Sequence, residues 1–256
     1  MDTTQELTHI SLCTGYGGID LGLKRVLPNL RTVALCEIEA FACANLVAKM
    51  EAGLLDPAPI WTNLKTFPWS EFRDRVDILS GGYPCQPFSS AGKRLGADDE
   101  RHLWPFIRDG IQRMAPRICF LENVEGHISL GLSTVISDLE EMGYKIAWGI
   151  FSAAECGAPH QRKRVFILAH RDGKRGQLSD CGRLTAEQMP VSNGPQGRDV
   201  WPSRPGEPQH EWEPPRVFVP SVDRNINGTP HRVDRLRLLG NGVVPATAAL
   251  AFRTLL

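Results

Sequence analysis

Several things are scarce in this 256-residue chain, and each scarcity excludes something. There is no excess of either charge, because Lys plus Arg and Asp plus Glu number 29 each. A polyanion partner would therefore have to be met by a local patch rather than by a global field. No run approaches 18 consecutive apolar residues, which argues against a membrane-spanning helix. The opening MDTTQELTHI lacks the basic start and apolar run of a secretory signal. Seven cysteines form an odd and sparse set, not a disulfide framework. Cys13, Cys36, Cys43 and Cys119 sit in apolar runs typical of buried thiols. No CxxC pair or Cys/His cluster has zinc-ligand spacing. These features together predict a reduced, cytoplasmic protein without a metal site.

What is present is an ordinary globular balance of 42% hydrophobic and 23% charged residues. Short apolar runs alternate with helical patterns over the first two thirds, which predicts βα units around a parallel sheet. Strands are expected at 9–14, 32–37, 76–82, 118–124 and 165–170, and helices at 19–26, 40–50, 103–114 and 132–142. Residues 171–235 differ: they hold nine of the nineteen prolines and only two leucines. Two readings stay open there. One is a disordered insertion; the other is a small irregular domain nucleated by Trp201, Trp212, Val217, Phe218 and Val219. Beyond it, 235–256 reads as a turn feeding an alanine-rich helix.

Three local patterns carry chemistry. Gly15-Tyr16-Gly17-Gly18 follows the first strand and opens a helix, where glycines allow close backbone approach and free amides face a ligand. It falls short of the dinucleotide fingerprint, so a purely structural turn is nearly as good a reading. Glu37, ending the second strand about 20 residues on, adds a carboxylate able to accept both hydroxyls of a ribose. The third is Gly81-Gly82-Tyr83-Pro84-Cys85-Gln86-Pro87-Phe88-Ser89. It sets Cys85 just past a strand end in a polar, turn-rich loop, a setting for an activatable nucleophile rather than an inert thiol.

That last stretch resembles the catalytic loop of the DNA (cytosine-5)-methyltransferases. Other motifs follow in that family's order: Leu12 to Leu23, Glu37, Glu122-Asn123-Val124, Arg162-Lys163-Arg164 and Gly240-Asn241-Gly242-Val243-Val244. The likeness covers nearly all of the chain except 171–235, and the short length resembles compact phage or prophage members.

The resemblance implies a Rossmann-like α/β fold, S-adenosylmethionine as cofactor and a cytosine flipped out of double-stranded DNA as substrate. It implies Cys85 as the nucleophile at carbon 6, with Glu122 holding ring nitrogen 3 and the exocyclic amine. Arg164 would donate to the base carbonyl, and Arg162 would order the site or a phosphate. Pro84, Gln86, Ser89 and Asn123 would shape the substrate loop, Asn123 by fixing it. Cofactor contacts would come from Cys13, Thr14, Gly15, Tyr16, Gly17, Gly18, Glu37, Ile38, Asn63, Leu64, Leu103, Asn241 and Val243, with Trp104 beside Leu103.

Three departures from the family pattern bear on those contacts. Cys13 stands where an aromatic commonly stacks on adenine, Asn63 where an Asp is usual, and His160 where Gln is frequent. The expected organisation is a catalytic domain over 1–170, a recognition region over 171–235 and a helix over 236–256 returning to the catalytic domain. A monomer without an obligate protein partner is expected. The rival readings are a tRNA cytosine-5 methyltransferase, a catalytically silent DNA-binding relative and a dinucleotide oxidoreductase with a reactive thiol.

Overall fold

The computed structural model describes residues 6–84, 103–171, 201–203, 207–213 and 232–256. Cys85, Gln86 and Ser89 lie outside the described residues, as do Val217, Phe218 and Val219.

Seven strands form one sheet in the order β3-β2-β1-β4-β5-β7-β6. The strands are β1 (Leu7–Leu12), β2 (Leu30–Cys36), β3 (Ile60–Trp61), β4 (Ile78–Gly82), β5 (Ile118–Val124), β6 (Lys145–Phe151) and β7 (Arg164–His170). The first five pair in parallel, whereas β7 runs antiparallel to both β5 and β6. The central strands are apolar on both faces, as a sheet covered on both sides requires. Ile10, Leu12, Ile78, Leu79, Phe120 and Leu121 are all fully buried.

The helices are α1 (Gly18–Val26), α2 (Ala40–Glu51), α3 (Trp104–Met114), α4 (His127–Leu130), α5 (Leu132–Glu141), α6 (Arg232–Asn241) and α7 (Pro245–Leu255). On one face Ile107, Ile111, Val135 and Leu139 of α3 and α5 cover the sheet. On the other, Leu23 of α1 and Ala248, Ala251 and Phe252 of α7 do so. Phe252 meets Phe120 edge-on at 5.1 Å, which locks α7 to the centre of the sheet. The stretch Val233–Leu255 is long and apolar enough by composition to cross a bilayer. It is broken between α6 and α7, and its apolar α7 residues are spent on this core.

The expected α/β class and nearly every expected element are present. Two strands were not expected. β3 has only two residues, and β6 is an edge strand with a glycine inside its apolar stretch and several partly exposed side chains. The expected C-terminal turn-plus-helix is instead a helix pair, with α6 beginning at Arg232. The thiols also divide: Cys36 and Cys119 are buried, but Cys13 and Cys43 are only half-buried.

In the segment 171–235, the described residues include a small capped turn. Glu213 accepts from the Ser203 amide (2.6 Å) and the His210 amide (3.2 Å), and Trp201 Nε1 donates to the Cys156 carbonyl at 2.9 Å.

The sheet order reverses direction between β1 and β4. Successive crossovers from β1 lead outward to β2 and β3, while β4 leads the other way to β5. The carboxyl ends of β1, β2, β4 and β5 therefore open into one crevice at this reversal, the place where open α/β sheets bind ligands.

Candidate active site

A cavity of about 730 Å³ occupies that crevice. Cys13, Thr14, Gly15 and Gly18 line it from the turn after β1, and Glu37 and Ile38 from the end of β2. Asn63 and Leu64 add a third wall, Leu103 a fourth, and Asn241 and Val243 close it from the α6–α7 turn. The same space reaches Pro84, Glu122, Asn123 and Arg164. Most of the expected cofactor and substrate residues among the described ones thus share one cavity.

The glycine turn is built for close approach. Gly17 is the N-cap of α1 at φ +83, a left-handed conformation that costs glycine little. Gly18 packs so tightly on the α6–α7 turn that an added Cβ would lie 2.1 Å from the Val243 carbonyl oxygen. Gly15 faces open space instead.

Glu37 braces this wall: Oε2 accepts from the Gly15 amide at 2.7 Å and Oε1 from the Glu39 amide at 2.8 Å. Each oxygen keeps a second acceptor position. Ile38, 74% exposed at the rim, is a large apolar surface beside this carboxylate. Asn63 caps the short 3₁₀ turn Leu64–Thr66, its Oδ1 accepting from the Lys65 amide at 3.0 Å.

Four expected neighbours lie elsewhere. Trp104 is buried in the core, with Nε1 donating to Asp138 Oδ2 at 2.6 Å, so Leu103 alone lines the cavity. Tyr16 and Gly17 stand behind the wall. Arg162 also stands behind it and donates to the carbonyls of Gly240 (2.8 Å) and Gly242.

The acid–base centre lines the same cavity. Gly82 pairs with Glu122 across β4 and β5, and Val124 pairs with Arg164 across β5 and β7. Arg164 Nε lies 2.9 Å from Glu122 Oε1, and Arg164 Nη1 donates to the Lys163 carbonyl at 2.8 Å. Burial pushes the Glu122 carboxyl up to about 7, even though Arg164 and Arg162 pull it down. Near neutral pH it exists in both protonation states, as a proton donor or holder requires.

The strand end before Cys85 is anchored by Asn123, Tyr83 and Trp104 and by His127, which the sequence did not single out. Tyr83 is buried against Trp104 with ring centroids 5.6 Å apart, and its hydroxyl pairs with His127 Nε2 at 3.1 Å. Asn123 Nδ2 donates to the Tyr83 carbonyl at 3.1 Å, and Asn123 Oδ1 accepts from the Val124 amide at 2.9 Å. Asn123 therefore fixes the start of the loop. The contribution of α6 was equally unforeseen: Asp234, Arg237 and Leu238 line the cavity, and Arg237 Nη2 pairs with Glu39 Oε1 at 2.6 Å. Only the glycines flanking Tyr83, and the Gly-Asn-Gly break after α6, mark these places in the sequence.

Comparison with known proteins agrees with this geometry. The family described as C-5 cytosine-specific DNA methylase matches residues 7–213. Type II methyltransferase M.NgoMIV of Neisseria gonorrhoeae is 35% identical over 172 residues, covering 64% of this chain and 52% of that protein. M.PspPI of Psychrobacter sp. is 32% identical over 181 residues, covering 67% and 41% respectively. The chain spans about half the length of the curated relatives it matches. In three dimensions it is similar to a Spodoptera frugiperda DNMT2 mutant, with a TM-score of 0.55 at 21% identity over 66% of this chain and 51% of the other. A modification methyltransferase encoded within an E. coli prophage gives 0.50 at 22% identity, over 64% and 47%. These two likenesses concern the fold, whereas the family match concerns the sequence. The chain belongs to the C-5 cytosine-specific DNA methylase family.

Proposed function

We propose that this chain transfers a methyl group from S-adenosylmethionine to carbon 5 of a cytosine in double-stranded DNA. The observation that carries the reading is the Glu122–Arg164 pair, which lines the same cavity as the glycine turn and Glu37. The cavity chemistry fits the cofactor. Glu37 keeps an acceptor position on each oxygen for a ribose, Gly15 faces open space, and Ile38 and Leu64 offer apolar surface to a flat base. When bound, S-adenosylmethionine supplies an electrophilic methyl group. Glu37, Asn63, Ile38, Leu64, Leu103, Asn241 and Val243 would hold it.

The chain's own residues then answer the difficulty of the reaction. Carbon 5 of cytosine is a weak nucleophile, and it gains electron density when a thiolate adds to carbon 6. Cys85, following directly on Pro84, supplies that thiolate. Glu122 protonates or holds ring nitrogen 3, so that the incoming electron pair is accommodated as the ring loses aromaticity. Arg164 donates to the base carbonyl oxygen and shares Glu122 with it. Asn123 and Tyr83 set where the Cys85 loop leaves the sheet. Loss of the carbon 5 proton then expels the Cys85 thiolate and restores the ring. A cytosine inside a duplex cannot reach this pocket, so it must be extruded at a cost of about a few kcal/mol. Residues 171–235 form the recognition region that supports the extruded state and selects the site. The relatives' names place them in type II modification systems, and the same setting is inferred here.

The test is bisulfite sequencing of DNA from cells expressing the protein, with purified tRNA and duplex DNA treated in parallel in vitro. Site-restricted protection of cytosines in DNA is expected. Methylation of tRNA with DNA untouched would replace this reading by its rival.

A further inference from the structure

The four residues 240–243, which end α6 and open the turn to α7, all contribute to the cavity wall. Two side chains that do not line the cavity hold the carbonyls of this stretch. The Tyr16 hydroxyl donates to the Val243 carbonyl. The Tyr16 ring fills the space beside Gly242, where a Cβ would lie 2.0 Å from Tyr16 Cε1. Tyr16 is itself held: Lys49 Nζ donates to its carbonyl at 2.8 Å and stands 5.0 Å over its ring. Arg162 donates through Nη2 to both the Gly240 and Gly242 carbonyls.

Arg162 does this from φ +40, a conformation that a non-glycine residue keeps only where its surroundings over-determine it. Two residues further along, Arg164 holds Glu122. The approach to β7 therefore connects this stretch of the cavity wall with the ion pair that lines the same cavity. Orphan carbonyls at the end of α6 are natural partners for a guanidinium fork.

We propose that Tyr16 and Arg162 are positioning residues that clamp the Gly240–Val243 turn, so that the cofactor wall and the Glu122–Arg164 pair are set together. The proposal rests on the cofactor reading above. It gives Arg162 a role distinct from a phosphate contact, which would act only when DNA is present.

Calorimetric titration of the full chain with S-adenosylmethionine, without DNA, separates the two roles. Arg162→Gln is expected to weaken cofactor affinity about tenfold, the order for losing charge-assisted bonds to two carbonyls. Arg162→Lys, one point donor in place of the fork, should recover part of that loss. Tyr16→Phe, which keeps the ring and removes the hydroxyl, should lower affinity several-fold while thermal unfolding of the chain stays near wild type. Hydrogen exchange provides a readout without any cofactor: the Gly242 and Val243 amides should exchange faster in both Tyr16→Phe and Arg162→Gln. The clamp is overturned if Arg162→Gln binds cofactor like wild type, exchanges those amides at the wild-type rate and loses only salt-dependent DNA affinity. A wild-type chain that binds no cofactor would instead remove the underlying reading, while the exchange rates would still decide the clamp.

Discussion

Arg164 meets Glu122 at 2.9 Å because β7 runs antiparallel to β5, which brings the first residue of one strand beside the last turn of the other. Such a contact between residues 42 positions apart depends on strand register. Glu122 is nearly out of water, so its protonation responds to burial as well as to the Arg164 charge.

A first consequence concerns pH. Glu122 titrates at about 7 in the folded chain against an ordinary 4.5. The acid form is the one that donates to ring nitrogen 3, so kcat/KM for DNA should fall as pH rises through about 7 on this account. Glu122→Gln should be severely impaired at every pH and lack that limb. Stability has a matching sign. The folded chain binds this proton more tightly than the unfolded chain, so Glu122 contributes least destabilisation below about pH 4.5, and stability is lost as pH rises towards 7. Comparing urea unfolding at pH 5 and pH 8, Glu122→Gln should gain on wild type by up to about 3 kcal/mol.

Arg164 should show itself twice. Arg164→Gln removes the cation that most strongly pulls the Glu122 carboxyl down, so any residual activity should keep its acid form to higher pH. Loss of a charge-assisted hydrogen bond to the base costs about 2–3 kcal/mol, or roughly 30- to 150-fold in kcat/KM. A pH–rate profile of the variant checks both parts.

Glu37 braces the glycine turn and faces the cavity. Glu37→Ala should weaken S-adenosylmethionine binding by about 1–3 kcal/mol, measured by calorimetry. Unchanged affinity would leave Glu37 as a brace for Gly15 and Glu39 only.

The α1–α7 contact should be intolerant of a single methyl group. At Gly22 an added Cβ would lie 2.6 Å from the Pro245 carbonyl and 2.7 Å from the Ala248 Cβ. Backbone must therefore move, and Gly22→Ala should destabilise the chain by about 1–3 kcal/mol in chemical denaturation. Because Val243 lies just before the same helix and lines the cavity, the variant should also bind cofactor less tightly.

Much of this was legible in the sequence, for identifiable reasons. Strands β1, β4 and β5 are buried on both faces, so they appear as apolar runs. The functional residues sit at the ends of those runs, where a strand gives way to Gly or Pro. Strand β6 escaped notice because its short apolar run, with Gly149 inside it, does not by periodicity alone distinguish a strand from other apolar segments. Helix α6 escaped because Val233, Leu236 and Leu239 face solvent and leave no amphipathic stripe. The motif order identified Tyr16 and Arg162 as site residues. Their actual partners, carbonyls some 80 to 227 positions away, are set only by the packing of α6 and α7 on the glycine turn.

The central claim is covalent attack by Cys85 on cytosine, and one measurement meets it directly. A random-sequence duplex pool carrying 5-fluorocytosine, incubated with the chain and S-adenosylmethionine, needs no knowledge of the recognition site. Fluorine at carbon 5 cannot leave as a proton does, so the Cys85–carbon 6 bond should persist. The account predicts a denaturation-resistant protein–DNA adduct, mapped to Cys85 by peptide mass spectrometry and absent in Cys85→Ala. An adduct formed equally by Cys85→Ala, or none formed by a chain that methylates ordinary cytosine, would contradict it.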